Sequence, residues 1–193
     1  LPSAQSLCDF DETEVTANVP TVGTGVWSTS SSLDLSDTLS ETLSITNIPL
    51  GNHKLYWTIS NGTCPPSVDS TMIYNNVIPV VDAGDNVSRF AGKDVTFNPI
   101  VTDASIYAWT PAELFDDPTL LSATASVLES TLLKITVSSD SGCSASDSLL
   151  YSVNSLDSVP TGITPNGDDI NDVWNIPELN TYPDAEIYVF DQA

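Results

Sequence analysis

Leu55-Tyr56-Trp57-Thr58-Ile59-Ser60-Asn61-Gly62-Thr63-Cys64 is apolar at every second position until it reaches a turn. Leu133-Lys134-Ile135-Thr136-Val137 repeats that pattern ahead of Cys143. Alternation with period two marks a strand with one buried face, and the Asn-Gly and Ser-Gly pairs that follow are turn signals. Working outward, Trp27 of Gly25-Val26-Trp27-Ser28 lies 37 positions before Cys64, and Trp109 of Tyr107-Ala108-Trp109-Thr110 lies 34 before Cys143. After each cysteine comes a Ser/Asp turn and a second alternating strand, in which Met72 and Tyr74 match Leu149, Tyr151 and Val153. One module of about 75 residues thus occurs twice.

Turn clusters recur within each module, at Pro49-Leu50-Gly51-Asn52, Asn61-Gly62, Asp116-Asp117-Pro118 and Ser141-Gly142. Their spacing of about 8–12 residues predicts roughly seven short strands per module, a small β-sandwich of immunoglobulin-like type. Composition agrees, because 26 Ser and 21 Thr are present while Lys, Arg, Gln and Met are scarce. Thirteen Pro argue further against long helices. The stretch 120–129 is rich in Leu and Ala, yet its Ser/Thr alternation and lack of a cap favour strand or loop over helix. The predicted fold class is all-β: tandem sandwiches over residues 1–78 and 79–154, divided at Val77-Ile78-Pro79, then the first part of a third sandwich over 155–193. That last piece offers one clear strand, 186–190, too little to close a core alone.

The charge excludes several functions. Four basic against 26 acidic side chains give −22, about one uncompensated negative charge per nine residues. Such a surface repels nucleic acid and acidic membrane faces, and no apolar run reaches the roughly 18–20 residues of a spanning helix. With 40% hydrophobic residues the chain is too apolar for a disordered acidic tail. It begins without Met and stops inside the apolar run Ala185-Glu186-Ile187-Tyr188-Val189-Phe190, which reads as part of something longer. An extracellular setting fits the composition.

Thr164-Pro165-Asn166-Gly167-Asp168-Asp169-Ile170-Asn171-Asp172-Val173-Trp174, with Tyr182-Pro183-Asp184-Ala185-Glu186-Ile187-Tyr188-Val189-Phe190-Asp191 behind it, carries a resemblance. It resembles the opening half of the gliding-motility-associated C-terminal domain, the type B sorting domain of the Bacteroidota type IX secretion system. The likeness covers the last 35 or so residues and departs at Asp169, where Gly is usual, and at Ala193, where an aromatic residue is expected. The two modules resemble the tandem repeats found upstream of such domains in gliding and adhesion proteins. Val19-Pro20-Thr21-Val22-Gly23-Thr24-Gly25-Val26-Trp27-Ser28 fits one repeat type. Asp82-Ala83-Gly84 with Ser141-Gly142-Cys143-Ser144-Ala145-Ser146-Asp147-Ser148 fits a second, PKD-like type. The resemblance implies a non-catalytic stalk and sorting region of a large cell-surface adhesin of gliding or attachment. Its implied partners are type IX components, including an outer-membrane β-barrel that receives the sorting domain, and surface glycans or other cell-surface proteins. The alternative is the tail of an extracellular polysaccharide-degrading enzyme whose catalytic domain lies upstream. A carbohydrate-binding module is a third reading and needs an exposed aromatic row.

Few residues offer chemistry. His53 is the only histidine and sits in Gly51-Asn52-His53-Lys54, which reads as a solvated turn leading into a strand. No Ser/His/Asp or Cys/His arrangement can be assembled around it, so enzyme activity is not expected. No cofactor is implied except calcium. Asn166, Asp168 and Asp172 with the Ile170 carbonyl resemble the oxygen ligands of an extracellular calcium loop. The other reading, and the favoured one, is a polar turn held by Asx hydrogen bonds. Asn61-Gly62-Thr63 and Asn86-Val87-Ser88 match an N-glycosylation pattern that reads here as coincidental turns. The O-glycan rule implied by the resemblance matches Thr38, Ser70, Ser148 and Ser158, each after an Asp, in a chain where chance matches are expected. Trp27, Trp57 and Trp109 read as core and Trp174 as an anchor of the polar loop.

Three cysteines leave one unpaired. In the PKD-like repeat a first-strand Cys is common, and the resemblance puts Phe90 at that place here, which orphans Cys143. Cys8 and Cys64 lie at the two ends of one module, so the expectation is a Cys8–Cys64 disulfide and a free Cys143.

Overall fold

The computed structural model describes residues 1–154, 162–168, 172–174, 176 and 188. The strand expected over 186–190, most of the third unit, Ile170 and Ser158 lie outside the described residues. In chain order the strands are β1 (Gln5–Cys8), β2 (Glu12–Thr16), β3 (Thr24–Thr29), β4 (Asp34–Leu35), β5 (Thr42–Thr46), β6 (Gly51–Ser60), β7 (Ser67–Asn76) and β8 (Val80–Asp82). There follow β9 (Val87–Phe90), β10 (Asp94–Phe97), β11 (Ile100–Thr102), β12 (Ile106–Thr110), β13 (Ala123–Ser126), β14 (Thr131–Ser138) and β15 (Ser144–Asn154). A single 3-10 turn, Ala112–Leu114, is the only helical element among the described residues. The stretch 120–129 supplies strand β13.

The sheets divide at 77–79. The first group holds a four-stranded sheet in the order β1-β7-β6-β3, facing a three-stranded sheet β2-β5-β4. The second group repeats the larger sheet as β9-β15-β14-β12, with β10-β13 opposite and a short β8-β11 pair added. Each closes on its own core. One is built on Val15, Trp27, Leu43, Ile45, Leu55, Trp57 and Ile73. The other is built on Phe97, Trp109, Ala123, Ala125, Leu133, Ile135, Leu149 and Tyr151. Face-to-face packing of two antiparallel-rich sheets over alternating inward residues defines a β-sandwich, so the all-β tandem reading holds.

Pairing registers make the repeat quantitative. Trp27 stands opposite Trp57 and Trp57 opposite Asp69; Trp109 stands opposite Ile135 and Ile135 opposite Asp147. The Trp27 amide donates to the Thr38 carbonyl and the Trp109 amide to that of Pro118, both at 2.8 Å. Their indole nitrogens likewise donate to Ser40 and Leu120 carbonyls at 3.1 and 3.2 Å. Trp27 and Trp109 thus fill the core with their rings and satisfy their one polar atom on the loop that crosses above, whereas the buried Trp57 Nε1 has no hydrogen-bond partner.

The first strand of each sandwich runs parallel to the last, β1 beside β7 and β9 beside β15. Cys8 lies opposite Asn76, and Phe90 opposite Asn154, so Phe90 holds the place of Cys8 in the second sandwich. This parallel pairing overturns the expected Cys8–Cys64 bridge. Cys8 ends at the same pole as the end of β7, whereas Cys64 lies in the β6–β7 connection at the other pole. Ten residues of β7 at ~3.3 Å each separate the poles by roughly 30 Å. A disulfide needs Cα atoms about 4.4–6.8 Å apart.

The phase of β7 needs a second correction. Thr71, Ile73 and Asn75 point inward, at the places of Leu149, Tyr151 and Val153, while Met72 and Tyr74 face outward. Apolar residues occupy both phases of Thr71-Met72-Ile73-Tyr74, and a one-residue slip exchanges the faces. Buried Asn75 decides the phase. Its amide nitrogen donates to the carbonyls of Phe10 and Ile48, and its oxygen accepts from the Phe10 amide. A fully bonded Asn is tolerated in a core where a bare one is not.

Candidate functional site

The structural feature with the clearest consequence is the joint between the sandwiches. Cys8 is bonded to Cys143, with Cα atoms 5.5 Å apart, and Cys64 is a free, exposed thiol. The bridge spans 135 residues of sequence and leads from the end of β1 to the β14–β15 connection. Cys143 is buried, and its Sγ also lies 3.8 Å from the Leu7 carbonyl oxygen. The backbone crosses the same junction through Val77, Ile78 and a buried Pro79. Two covalent tethers therefore hold one joint. Beside it runs an open groove lined by Val77, Asp103, Ala104, Ser105, Ser139, Asp140 and Ser141, in which the Ser105 hydroxyl donates to the Asp140 carboxylate. No charged side chain in this groove is buried, and nothing in it forms an acid–base pair.

The second tie is polar. Asp147 on β15 accepts the Ala83 amide at 2.8 Å and so fastens the start of the second sandwich to its last strand. That bond, with a further one from the Ser148 amide, holds its carboxyl below the ordinary value of 3.8. Asp69 is its equivalent on β7. It receives the Leu1 nitrogen at 3.1 Å and the Ser70 amide at 2.8 Å, and the Ser70 bond does most to lower its carboxyl in the same direction.

The remaining sequence candidates are distributed rather than gathered. His53 lies in β6, not in a turn, and is 6% exposed. Its Nε2 is 2.7 Å from the Pro49 carbonyl oxygen, which can only accept, so Nε2 carries the proton. The solvated-turn reading failed because the strand begins at Gly51 and His53 takes an inward position on it. Its Nδ1 is buried without a hydrogen-bond partner, and no carboxylate or nucleophile is hydrogen-bonded to the ring.

In the polar loop, Asp172 Oδ1 accepts the amides of Asn166 and Gly167 at 2.8 and 2.9 Å. Asn166 Oδ1 accepts the Asp168 amide, and its amide nitrogen donates to Asp168 Oδ2 at 3.0 Å. Asn166, Asp168 and Asp172 are thus brought together in Asx-type turns. Among the described residues no group of three or more His, Cys, Asp or Glu side chains is arranged to hold a metal ion. Ser70 and Ser148 occupy equivalent outward positions on β7 and β15, Thr38 is half-buried, and Trp27, Trp57 and Trp109 are core residues at 1–2% exposure. Trp174 is 40% exposed. Of the N-glycosylation matches, Asn86 uses its side-chain oxygen to accept the Leu150 amide at 2.8 Å.

The cysteine pairing is what sequence reasoning missed. The usable signal was the equivalence of Phe90 to Cys8, which puts Cys8 in a first strand; the pole it reaches follows from the parallel pairing of β1 with β7.

These observations describe tandem immunoglobulin-like sandwiches with a covalent joint and no assembled catalytic group among the described residues. A family model, the CHU_C type IX secretion signal domain, matches residues 158–193. The chain therefore carries a signal for type IX secretion and is a secreted, type IX-sorted protein with immunoglobulin-like domains. Such a signal implies interaction with the secretion machinery and export to the cell surface or the extracellular space. Among the described residues no helix is long and apolar enough to cross a membrane. No curated protein matches the chain. Solved structures similar in fold include the fibronectin(III)-like modules of Clostridium thermocellum CbhA, at 14% identity over 79% of this chain and 90% of that one, TM-score 0.42. Sidekick-1 immunoglobulin domains 1–4 are similar at 14% identity over 80% of this chain and 47% of that one, TM-score 0.48. The titin I-band fragment I67–I69 is similar at 14% identity over 80% and 63%, TM-score 0.46.

Proposed function

We propose that residues 1–154 are a non-catalytic, stiffened stalk of a large cell-surface adhesin of gliding motility or surface attachment, in a Bacteroidota organism. Residues 155–193 begin the sorting domain that addresses it to the type IX machinery, where an outer-membrane β-barrel receives it. The observation that carries this reading is the double tether of the joint between the two sandwiches, one sandwich upstream of the secretion signal. An element that transmits force or sets a distance needs its orientation fixed, and a catalytic domain needs a cleft with convergent polar groups instead. The dense negative charge suits a spacer, since it keeps neighbouring molecules apart. Surface glycans or other cell-surface proteins are the ligands of the full-length molecule rather than of these two sandwiches.

The test is a replacement in the producing cell. Exchanging residues 1–154 for an unrelated, disulfide-bolted tandem sandwich of equal length is expected to preserve export and attachment. Removing everything from residue 155 onward is expected to trap the protein inside the outer membrane. Loss of attachment on exchange would place a binding or catalytic role in 1–154, and export without the C-terminal part would end the sorting claim.

A further inference from the structure

Cys64 occupies, in the first sandwich, the connection that Cys143 occupies in the second. From Trp57 to Asp69 is twelve residues, and from Ile135 to Asp147 is also twelve. Within those spans Cys64 and Cys143 fall one position apart, seven and eight residues after the reference strand residue. Each lies in the hairpin at the upstream pole of its sandwich. In the second sandwich that cysteine is bonded to Cys8, a first-strand residue at the downstream pole of the sandwich before it.

The chain also approaches both sandwiches along one path. Registers that equate Cys8 with Phe90 equate Leu1 with Ala83, and the two nitrogens donate to the equivalent carboxylates of Asp69 and Asp147. Cys64 is exposed and free, so this half of a bolt is available.

We propose that Cys64 forms the same inter-sandwich disulfide one step upstream, with a first-strand cysteine of a preceding module in the same polypeptide. The 135-residue separation of Cys8 and Cys143 puts that partner about 70 residues before Leu1. Phe90 at the place of Cys8 ends the series, because the second sandwich offers no first-strand thiol to whatever follows. The stalk is thus bolted up to the sorting domain and unbolted at it, leaving that domain free to be handled separately by the export machinery.

The chemistry requires an oxidant, a protein thiol oxidase of the cell envelope in its disulfide form. One cysteine thiolate attacks the oxidase disulfide and expels one of its sulfurs as a thiolate. The second cysteine thiolate then opens the mixed disulfide; two protons and two electrons leave with the oxidase, now a dithiol.

Non-reducing peptide mapping of the full-length protein collected from its producing cells, with free thiols alkylated beforehand, tests this. The expected result is a Cys64 peptide joined to a peptide of the same chain N-terminal to Leu1, in a protein that runs as a monomer on a non-reducing gel. Cys64 recovered as the alkylated thiol overturns the proposal. So does Cys64 joined to Cys8, to Cys143, to a small thiol or to Cys64 of a second molecule. Export and attachment are not read in this experiment, so its failure leaves the stalk reading to its own test.

Discussion

Gly25 shows how tightly single residues are set in the first sandwich. It lies in β3 opposite Ile59, and a Cβ built on it falls 2.0 Å from the nearest carbon of the Trp57 ring. Trp57 in turn packs on Trp27 with ring centroids 5.0 Å apart, so the ring has no room to retreat. Gly25→Ala is expected to cost about 2–3 kcal/mol in denaturant unfolding, the scale of core overpacking. An unchanged midpoint would mean that the Trp pair is not rigid. Asn75 is the polar counterpart. Asn75→Ala strands the Phe10 amide and carbonyl and the Ile48 carbonyl, and is expected to destabilise by about 2–4 kcal/mol. The Phe10 amide should then lose hydrogen-exchange protection, which general loosening of β7 would not single out. At this scale the sequence was only partly legible. Trp27, Trp57 and Trp109 could be assigned to the core from alternation alone. Asn75 and His53 could not, because inward polar residues break the hydrophobic pattern and are identified only by partners distant in sequence.

Elements were more legible than residues. The β6–β7 and β14–β15 hairpins are visible as alternation about Asn61-Gly62 and Ser141-Gly142. The short first strands were not, because four residues such as Gln5-Ser6-Leu7-Cys8 carry no period, and nothing local says that they pair parallel to a strand almost seventy residues away. That parallel pairing determines which pole Cys8 reaches. The Asp147–Ala83 bond ties such a segment down and makes the tie sensitive to acid. Because the folded carboxyl is held below its ordinary value, the ionised form stabilises the fold above the unfolded pKa. That contribution is lost as the pH falls through the folded value. Asp147→Asn should therefore flatten the acid limb of thermal unfolding between about pH 5 and pH 2, relative to the unsubstituted protein. Equal acid limbs would show that the carboxylate charge does not hold the segment. The polar loop allows a similar test. Asp172→Ala removes the acceptor of two amides and should free the exchange of Asn166 and Gly167, whereas Asp172→Asn should keep both protected. If millimolar calcium protects those amides further in the unsubstituted protein, and Asp168→Ala abolishes the gain, the loop is a calcium site.

For the whole molecule, two sandwiches with separate cores need no disulfide to fold, since each buries its own Trp, Leu and Ile residues. The Cys8–Cys143 bond acts on their mutual orientation instead. A three-residue backbone linker alone leaves bending and twisting open, and a second covalent tether beside it removes much of that freedom. Reduction should leave both cores intact by near-ultraviolet circular dichroism while lengthening the range of shapes seen by small-angle scattering. The most direct measurement is of backbone residual dipolar couplings from the oxidised protein, fitted separately to residues 5–76 and 80–154. With the joint doubly tethered, one alignment tensor should describe both groups, and two different tensors should be needed in Cys8→Ser/Cys143→Ser. Two unequal tensors in the oxidised protein would contradict the claim that this is a stiffened stalk.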